Sequence, residues 1–201
     1  MPKDSTKTRQ KLIAAADALF YNQGIRAVGV DAIALAAGVT KRTLYYHFKT
    51  KDDLIAAYLD GRDQPTLGRY QALLPKAGEP AALRVRRVFE HLAKSCQDRQ
   101  WRGCSFLRAA AEFANLPGHP TRLIAARHKK SFEGWLADIL RADAIADAAE
   151  LARQIMILFD GAVAQILIHR DPGYAASAAE AAALLIRNAD RRKWKSGARA
   201  G

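Results

Sequence analysis

The feature that most constrains this chain is the spacing of its apolar side chains, which recur every three or four residues. This period matches one face of an α-helix. The first segment shows it, with apolar residues at Leu12, Ala15, Ala16, Leu19 and Phe20. The chain also contains 41 alanines and no run in which β-branched residues alternate with polar ones. We therefore predict an all-α fold.

Glycine, proline and capping residues divide the chain into separate predicted helices. Gly24 is suited to end the first helix, because glycine readily adopts the left-handed conformation found there. Thr50 and Asp53 have the spacing of a capping box at the start of the fourth helix. Pro65 is expected to end that helix, because the residue before a proline avoids helical geometry. The predicted helices span residues 5–22, 30–37, 41–47, 51–64, 80–97, 103–116, 121–140, 146–168 and 174–188.

The overall composition is typical of a globular protein. Half of the residues are hydrophobic and 26% are charged, which provides enough apolar material for a core. The longest apolar runs, at 155–159 and 181–186, are far shorter than the roughly 20 residues that a membrane-spanning helix needs. The polar N-terminus shows no secretory signal, and two cysteines are too few for a disulfide framework. We expect a cytoplasmic protein with no membrane segment.

Residues 30–51, VDAIALAAGVTKRTLYYHFKTK, have the pattern of a helix-turn-helix. The two short helices are joined by Gly38-Val39-Thr40, where glycine permits a tight corner and threonine can cap the second helix. If their apolar residues face each other, the second helix presents hydrogen-bond donors suited to base edges and phosphates. A helical hairpin with a solvated polar face has the same spacing. The net charge of +12 favours a polyanionic partner. Residues 1–64, however, carry 10 basic and 7 acidic side chains. DNA contacts in this segment must therefore depend on where the basic side chains lie rather than on its net charge.

The order of the motifs adds information to the spacing. The first helix, TRQKLIAAADALFYNQG, is followed by DAIALAA and then by GVTKRTLYYHFKTKDDL. Over about residues 8–58 this order resembles the DNA-binding domain of the TetR family of bacterial transcriptional regulators. Beyond it, only a weaker likeness around RGCSFLRAAAEF is found. The resemblance implies an N-terminal three-helix helix-turn-helix domain, residues 1–50, and a C-terminal helical bundle for ligand binding and dimerisation, residues 51–201.

The resemblance also assigns DNA contacts to the second helix of the motif and to its flanks. It implies that the start of this helix touches bases and phosphates, that its aromatic and histidine positions touch the backbone or a thymine methyl, and that Lys51 binds a phosphate. Leu44 and Phe48 are implied to be core. At Arg42 the chain departs from the family, which often has glycine there, so the operator sequence cannot be transferred. The implied DNA-binding residues are Thr40, Lys41, Arg42, Thr43, Tyr45, His47 and Lys51.

A regulator of this family is expected to respond to a small molecule bound in its C-terminal domain. Apolar and aromatic residues beyond position 80 are suited to line a pocket for a small, largely apolar effector, with a few polar groups to orient it. For each aromatic residue, ordinary core packing is the competing interpretation. The predicted lining consists of Phe89, Leu92, Trp101, Cys104, Phe106, Arg108, Glu112, Phe113, His128, Trp135 and Met156.

The segment LARQIMILFDGAVAQILIH, residues 151–169, carries apolar side chains around nearly its whole circumference. Such a helix is buried on more than one face, and a single domain core covers only one of them. We therefore predict a two-fold homodimer formed by the helices over 146–168 and 174–188. Ala162 and Ile166 are the interface positions we expect, with the choice between them open.

The sequence contains little that indicates catalysis or metal binding. Its five histidines and two cysteines form neither an H-E-x-x-H nor a C-x-x-C motif, and it has no P-loop and no G-x-S-x-G. We predict a DNA-binding regulator that has no cofactor and is not an enzyme. It is expected to be a repressor released from a pseudo-palindromic operator by its effector, with activation as the alternative outcome. The competing hypothesis is a small-molecule-binding or enzymatic helical bundle that does not act through DNA. The operator, the effector, the regulated genes and any redox role of Cys96 or Cys104 are left open.

Overall fold

The computed structural model describes residues 3–74 and 78–197, with side chains for residues 5–74 and 78–189. Over these residues it contains nine α-helices and no β-strand, which confirms the predicted all-α fold. The helices are α1 (Lys3–Gln23), α2 (Val30–Ala36), α3 (Lys41–His47), α4 (Lys51–Ala72), α5 (Ala81–Ser95), α6 (Ser105–Glu112), α7 (Pro120–Ala142), α8 (Ala148–His169) and α9 (Gly173–Gly197).

The prediction that the fourth helix ends at residue 64 is wrong. α4 continues to Ala72 with Pro65 in its interior. The proline has no N–H to donate to the carbonyl of Gly61, so one helical hydrogen bond is lost. Leu67, which follows the proline, is buried. Tertiary packing of this kind overrides the local preference of a single residue.

Two helices of the C-terminal part also differ from the prediction. α6 is shorter than expected, because Gly103 adopts a φ of +80° and Phe113 has already left helical geometry. α9 is longer than expected and reaches Gly197 rather than residue 188. It contains no proline, and its alanine-rich sequence has a high helix propensity.

The chain forms two compact units that are not continuous in sequence. Unit 1 comprises residues 1–65 and 104–128, and unit 2 comprises residues 66–103 and 129–201. The expected domain boundary after residue 50 therefore lies inside unit 1. Since α6 and the first part of α7 belong to unit 1, the DNA-binding segment shares its core with residues that are distant in sequence.

The core of unit 1 holds the helix-turn-helix together. α1 packs on α2, and α2 packs on α3. Leu44 and Phe48 are buried, as the resemblance implied. Phe106 of α6 belongs to the same core as Leu12 and Phe20 of α1. Burial of each of these large side chains contributes about 1.5–3 kcal/mol to folding.

Unit 2 is built mainly on α9, against which both α5 and α8 pack. A group of aromatic rings fills part of this unit. The Tyr70 ring lies edge-on to the rings of Phe132 and Phe159, with centroids 5.0 and 5.8 Å away. Among the described residues, α8 is one helix that is long and apolar enough to span a membrane. The core helix of a globular bundle meets the same criteria, and nine residues of α8 are buried.

Candidate DNA interface and effector region

The turn between α2 and α3 has the geometry that the sequence predicted. Gly38 adopts a φ of +66°, a conformation that favours glycine. The hydroxyl of Thr40 accepts a hydrogen bond from the Thr43 amide at 3.1 Å and lies 2.9 Å from the Thr43 hydroxyl. Thr40 is therefore the N-cap of α3, and its side chain satisfies a backbone donor at the start of the helix.

α3 has one buried and one exposed face. Leu44 points into the core of unit 1, and Phe48 follows it at the C-cap. The side chains of Lys41, Arg42 and Tyr45 are exposed, whereas Thr43 and His47 are half-buried. Of the predicted DNA-binding residues, the exposed face therefore presents two cations and a phenol, which suit phosphates and base edges.

The first residue of α3 is paired with an acidic side chain of α2. The ammonium of Lys41 lies 3.0 Å from a carboxylate oxygen of Asp31, and both side chains are largely exposed. The hydrogen bond to Asp31 raises the pKa of Lys41, so the lysine stays charged. An exposed pair of this kind adds little stability, and the Lys41 ammonium can exchange Asp31 for a phosphate at low cost.

Lys51 begins α4 next to the predicted capping box. The Thr50 hydroxyl accepts from the Asp53 amide at 3.1 Å, and an Asp53 carboxylate oxygen accepts from the Thr50 amide at 2.9 Å. The half-buried Lys51 donates from its ammonium to the carbonyl of Ile25 at 2.7 Å. Burial lowers the pKa of this lysine. The ammonium of Lys51 therefore has an intramolecular contact. Phosphate binding by Lys51 stays a prediction.

Two exposed residues, one on α3 and one close to its end, are not among the predicted DNA contacts. Tyr46 is 72% exposed and lies one helical turn after Arg42, so the helical period alone could have found it. The guanidinium of Arg9, on α1, lies 4.9 Å from the centre of the Phe48 ring. No local pattern places Arg9 there, because the contact depends on how α1 packs against the end of α3.

The predicted effector residues divide between the two units. Six of them belong to unit 1, and the side chains of five of these six make ring or hydrogen-bond contacts inside that unit. Phe106 stacks on His128 with ring centroids 3.6 Å apart. Arg108 donates to the carbonyl of Tyr21 at 2.7 Å, and the Glu112 carboxylate accepts from two backbone amides of the turn after α1. The six residues of unit 1 are Cys104, Phe106, Arg108, Glu112, Phe113 and His128.

The other five predicted effector residues belong to unit 2, and two of them contact its aromatic group. Phe89 is tilted against Phe159 at 5.8 Å, and Trp135 lies edge-on to Phe132 at 5.3 Å. His91, which was not predicted, contacts the Tyr70 ring at 5.0 Å. The five predicted residues are Phe89, Leu92, Trp101, Trp135 and Met156.

A cavity of about 350 Å³ lies between α1 and α4 within unit 1. It includes none of the predicted effector residues. Its two charged side chains are bonded to each other, because the guanidinium of Arg62 binds both carboxylate oxygens of Asp17. The lining residues are Gln10, Ile13, Ala14, Asp17, Tyr58, Gly61 and Arg62.

Neither cysteine forms a disulfide. Cys96 and Cys104 are both half-buried. The Cys96 thiol donates to the carbonyl of Ala93 at 3.1 Å, and burial raises its pKa. A raised pKa leaves less of the reactive thiolate at neutral pH. Within the described ranges, no three His, Cys, Asp or Glu side chains are grouped so that they could hold a metal ion.

α8 carries an exposed apolar stripe. Ile157 and Ile168 are 66% and 68% exposed, and Gly161 and Ala164 lie between them at helical spacing. On α9, Leu184 is also exposed. The expectation that Ala162 and Ile166 form the interface is wrong, because both are buried within the protomer. The exposed residues of α8 therefore lie on a different face of the helix from Ala162 and Ile166.

Known proteins are similar to this chain over more than its DNA-binding segment. A sequence profile described as "Bacterial regulatory proteins, tetR family" matches residues 12–58. A TetR-family transcriptional regulator from Streptomyces coelicolor has a crystal structure that matches with a TM-score of 0.81 and 31% identity, covering 92% of this chain and 96% of that chain.

Curated relatives include two regulators with lower coverage. The HTH-type transcriptional repressor KstR2 of Mycolicibacterium smegmatis is 26% identical over 148 residues, which is 74% of this chain and 70% of that protein. The HTH-type transcriptional regulator AcrR of Shigella flexneri is 33% identical over 97 residues, 46% of this chain and 43% of that protein.

The fold and the exposed face of α3 define a helix-turn-helix DNA-binding protein. The match to the Streptomyces coelicolor regulator spans nearly the whole of both chains. This chain belongs to the TetR family of bacterial transcriptional regulators, which confirms the family, the fold class and the regulatory function expected from the sequence. Its relatives are transcriptional regulators rather than enzymes, and this confirms the prediction that the chain is not an enzyme.

Proposed function

We propose that this protein is a homodimeric cytoplasmic repressor that binds a pseudo-palindromic DNA operator and is released from it by a small, largely apolar effector. The observation that carries the proposal is the exposed face of α3, which presents Arg42, Tyr45 and Tyr46 on a helix held in the core by Leu44. A short helix anchored in this way is suited to enter the major groove of DNA.

The side chains of this surface divide into two roles. Arg42 lies at the start of α3, where a helix in the major groove presents its side chains to base edges, and guanidinium pairs well with guanine. Thr40, Thr43, Tyr45, His47 and Lys51 are the proposed phosphate contacts, with Lys41 able to serve either role. Phosphate contacts set the position of the protein, and base contacts set its sequence preference.

The exposed stripe on α8 supports the dimer. A second copy that covers Ile157, Ile168 and Leu184 would remove three large apolar side chains per protomer from water. A two-fold dimer contains two equivalent copies of α3. Each recognition helix then reads one half-site, with the half-sites about 34–36 Å apart or a multiple of this distance.

The effector is proposed to bind at the aromatic group of unit 2. Phe89, Phe132, Trp135 and Phe159 provide apolar surface, and His91 and Tyr70 provide polar atoms. Pockets for small molecules commonly combine an apolar lining with a few polar groups. An effector that binds more tightly to a conformation unable to contact both half-sites would lower DNA affinity by that difference.

Selection of bound sequences from a random double-stranded DNA pool tests the proposal, followed by a reporter gene placed behind the selected site. We expect a pseudo-palindromic consensus and reduced reporter expression when the protein is present. Raised expression would identify an activator. Enrichment of no sequence above the starting pool would contradict DNA recognition and leave the small-molecule-binding bundle as the better account.

A further inference from the structure

Glu112 occupies an electrostatically unfavourable position. It is the last residue of α6, in the otherwise apolar sequence AAAEFA. The C-terminal end of a helix carries a partial negative charge, so a carboxylate there is electrostatically disfavoured. A residue that violates a local rule in this way is commonly held by tertiary contacts that offset the cost.

The contacts that hold Glu112 come from the turn between α1 and α2. One carboxylate oxygen accepts from the Ile25 amide at 3.1 Å and the other from the Arg26 amide at 2.8 Å. The guanidinium of Arg26 donates to the main-chain carbonyl of Glu112 at 3.2 Å. Gly24 adopts a φ of +93°, and a Cβ added to it would lie 3.4 Å from the carboxylate. The turn is therefore folded closely around this carboxylate.

Ile25 is held from two sides. Its amide donates to Glu112, and its carbonyl accepts from the ammonium of Lys51 at 2.7 Å. Its side chain is buried in the core of unit 1. One residue thus joins a carboxylate at the end of α6 to the lysine that begins α4, which is a proposed phosphate contact.

We propose that Glu112 is a positioning residue for DNA binding, whose carboxylate fixes the α1–α2 turn and, through Ile25, the ammonium of Lys51. The expected effect on DNA affinity rests on the proposed operator binding. The expected effect on the α1–α2 turn is independent of DNA. Charge supports the link as well, because Glu112 partly offsets the lowering of the Lys51 pKa by burial.

The central variant is Glu112→Gln, which keeps the shape of the side chain but replaces one acceptor oxygen by an NH₂ donor. This donor would face a backbone N–H, so at least one of the two hydrogen bonds is lost. Glu90→Gln is the matched control, because Glu90 is an exposed glutamate on α5 and the change in net charge is the same. Circular dichroism confirms that both variants are folded at the measurement temperature. If Glu112→Gln does not fold, Glu112→Asp, with a shorter reach, takes its place.

Hydrogen exchange measures the turn directly. We expect the amides of Ile25 and Arg26 to exchange about tenfold faster in Glu112→Gln than in the wild type, and to be unchanged in Glu90→Gln. Unchanged exchange at both amides in Glu112→Gln would overturn the inference. This result does not depend on whether the protein binds DNA.

A double-mutant cycle measures the link to DNA binding. Affinity for the selected operator and its salt dependence are measured for Glu112→Gln, Lys51→Met and the double variant. We expect Glu112→Gln alone to weaken binding about tenfold with a shallower salt dependence, and to have little further effect once Lys51 is replaced. Additive losses would overturn the role of Glu112 as a residue acting through Lys51. A wild-type protein that binds no DNA would instead contradict the proposed function, and the exchange experiment separates the two failures.

Discussion

The ammonium of Lys51 and the main-chain carbonyl of Ile25 are joined by a hydrogen bond of 2.7 Å. This contact ties the first residue of α4 to the turn after α1. A lysine held in this way has fewer accessible conformations, so less entropy is lost when it binds a phosphate. Lys51 is thus expected to contribute to both the stability of unit 1 and the affinity for DNA.

Replacing Lys51 by methionine separates these two contributions. We expect Lys51→Met to weaken binding to every DNA sequence by a similar factor and to reduce the slope of log affinity against log salt by about 1, since a phosphate contact carries no sequence information. The carbonyl of Ile25 loses its partner, which costs about 1–2 kcal/mol of folding stability. Fluorescence anisotropy and urea unfolding measure the two effects. A loss confined to the selected operator would contradict the phosphate role.

Arg42 is expected to determine sequence preference rather than stability. Its side chain is exposed at the start of α3, so Arg42→Gly removes a potential base contact without opening the core. We expect the variant to select a different consensus, with each altered base pair worth about 1–3 kcal/mol. Because glycine disfavours helix, Arg42→Ala serves as the control for stability. An unchanged consensus, with equal losses on all sequences, would argue against base readout at this position.

The dimer prediction is tested on the exposed face of α8. Ile157→Glu places a charge on the proposed interface twice per dimer, at a cost of several kcal/mol. We expect sedimentation to shift from twice the chain mass to 22.1 kDa, with operator affinity falling in parallel. Leu123→Glu is the control, because Leu123 is 62% exposed, close to the 66% of Ile157, but lies on α7. Wild-type protein that sediments as a monomer at micromolar concentration would contradict the dimer.

We expect His91 to make unit 2 less stable in mild acid. Burial lowers its pKa from the ordinary value of 6.5, with Arg69 and Lys94 adding to the effect. The folded state therefore binds this proton less readily than the unfolded state, and stability falls as the pH drops through 6.5 towards the folded pKa. The His91 ring contacts the Tyr70 ring, with centroids 5.0 Å apart.

Replacing His91 isolates this effect from the other histidines. We expect His91→Gln to lose less stability than the wild type between about pH 7.5 and pH 5.5, as measured by urea unfolding at both values. The remaining histidines are common to both proteins and cancel in the difference. Equal losses in the two proteins would show that His91 does not titrate differently on folding.

The helix-turn-helix could be predicted because its signals are local. The capping hydroxyl of Thr40, the left-handed turn at Gly38 and the buried positions Leu44 and Phe48 all depend on spacing within a few residues. The continuation of α4 through Pro65 could not be predicted in the same way. It depends on apolar packing of the residues that follow, which outweighs the local preference.

The sequence did not predict which segments form unit 1, for a related reason. Glu112 was expected to serve a ligand pocket, whereas its carboxylate is bonded to amides 86 and 87 residues earlier in the chain. No periodic pattern encodes a contact of such sequence separation. The same applies to α8, where an apolar pattern around the whole helix left the choice of outward face undetermined. The structure places Ile157 and Ile168 outward and Ile166 inward.

Sequence recognition by α3 is measured by the ratio of affinities for the selected operator and for a scrambled duplex of equal length and composition. We expect the wild-type protein to bind the operator at least about a thousandfold more tightly at physiological salt. We also expect Arg42→Ala to lower this ratio and Lys51→Met to leave it nearly unchanged. Equal affinity of the wild-type protein for the two duplexes would contradict sequence recognition by α3.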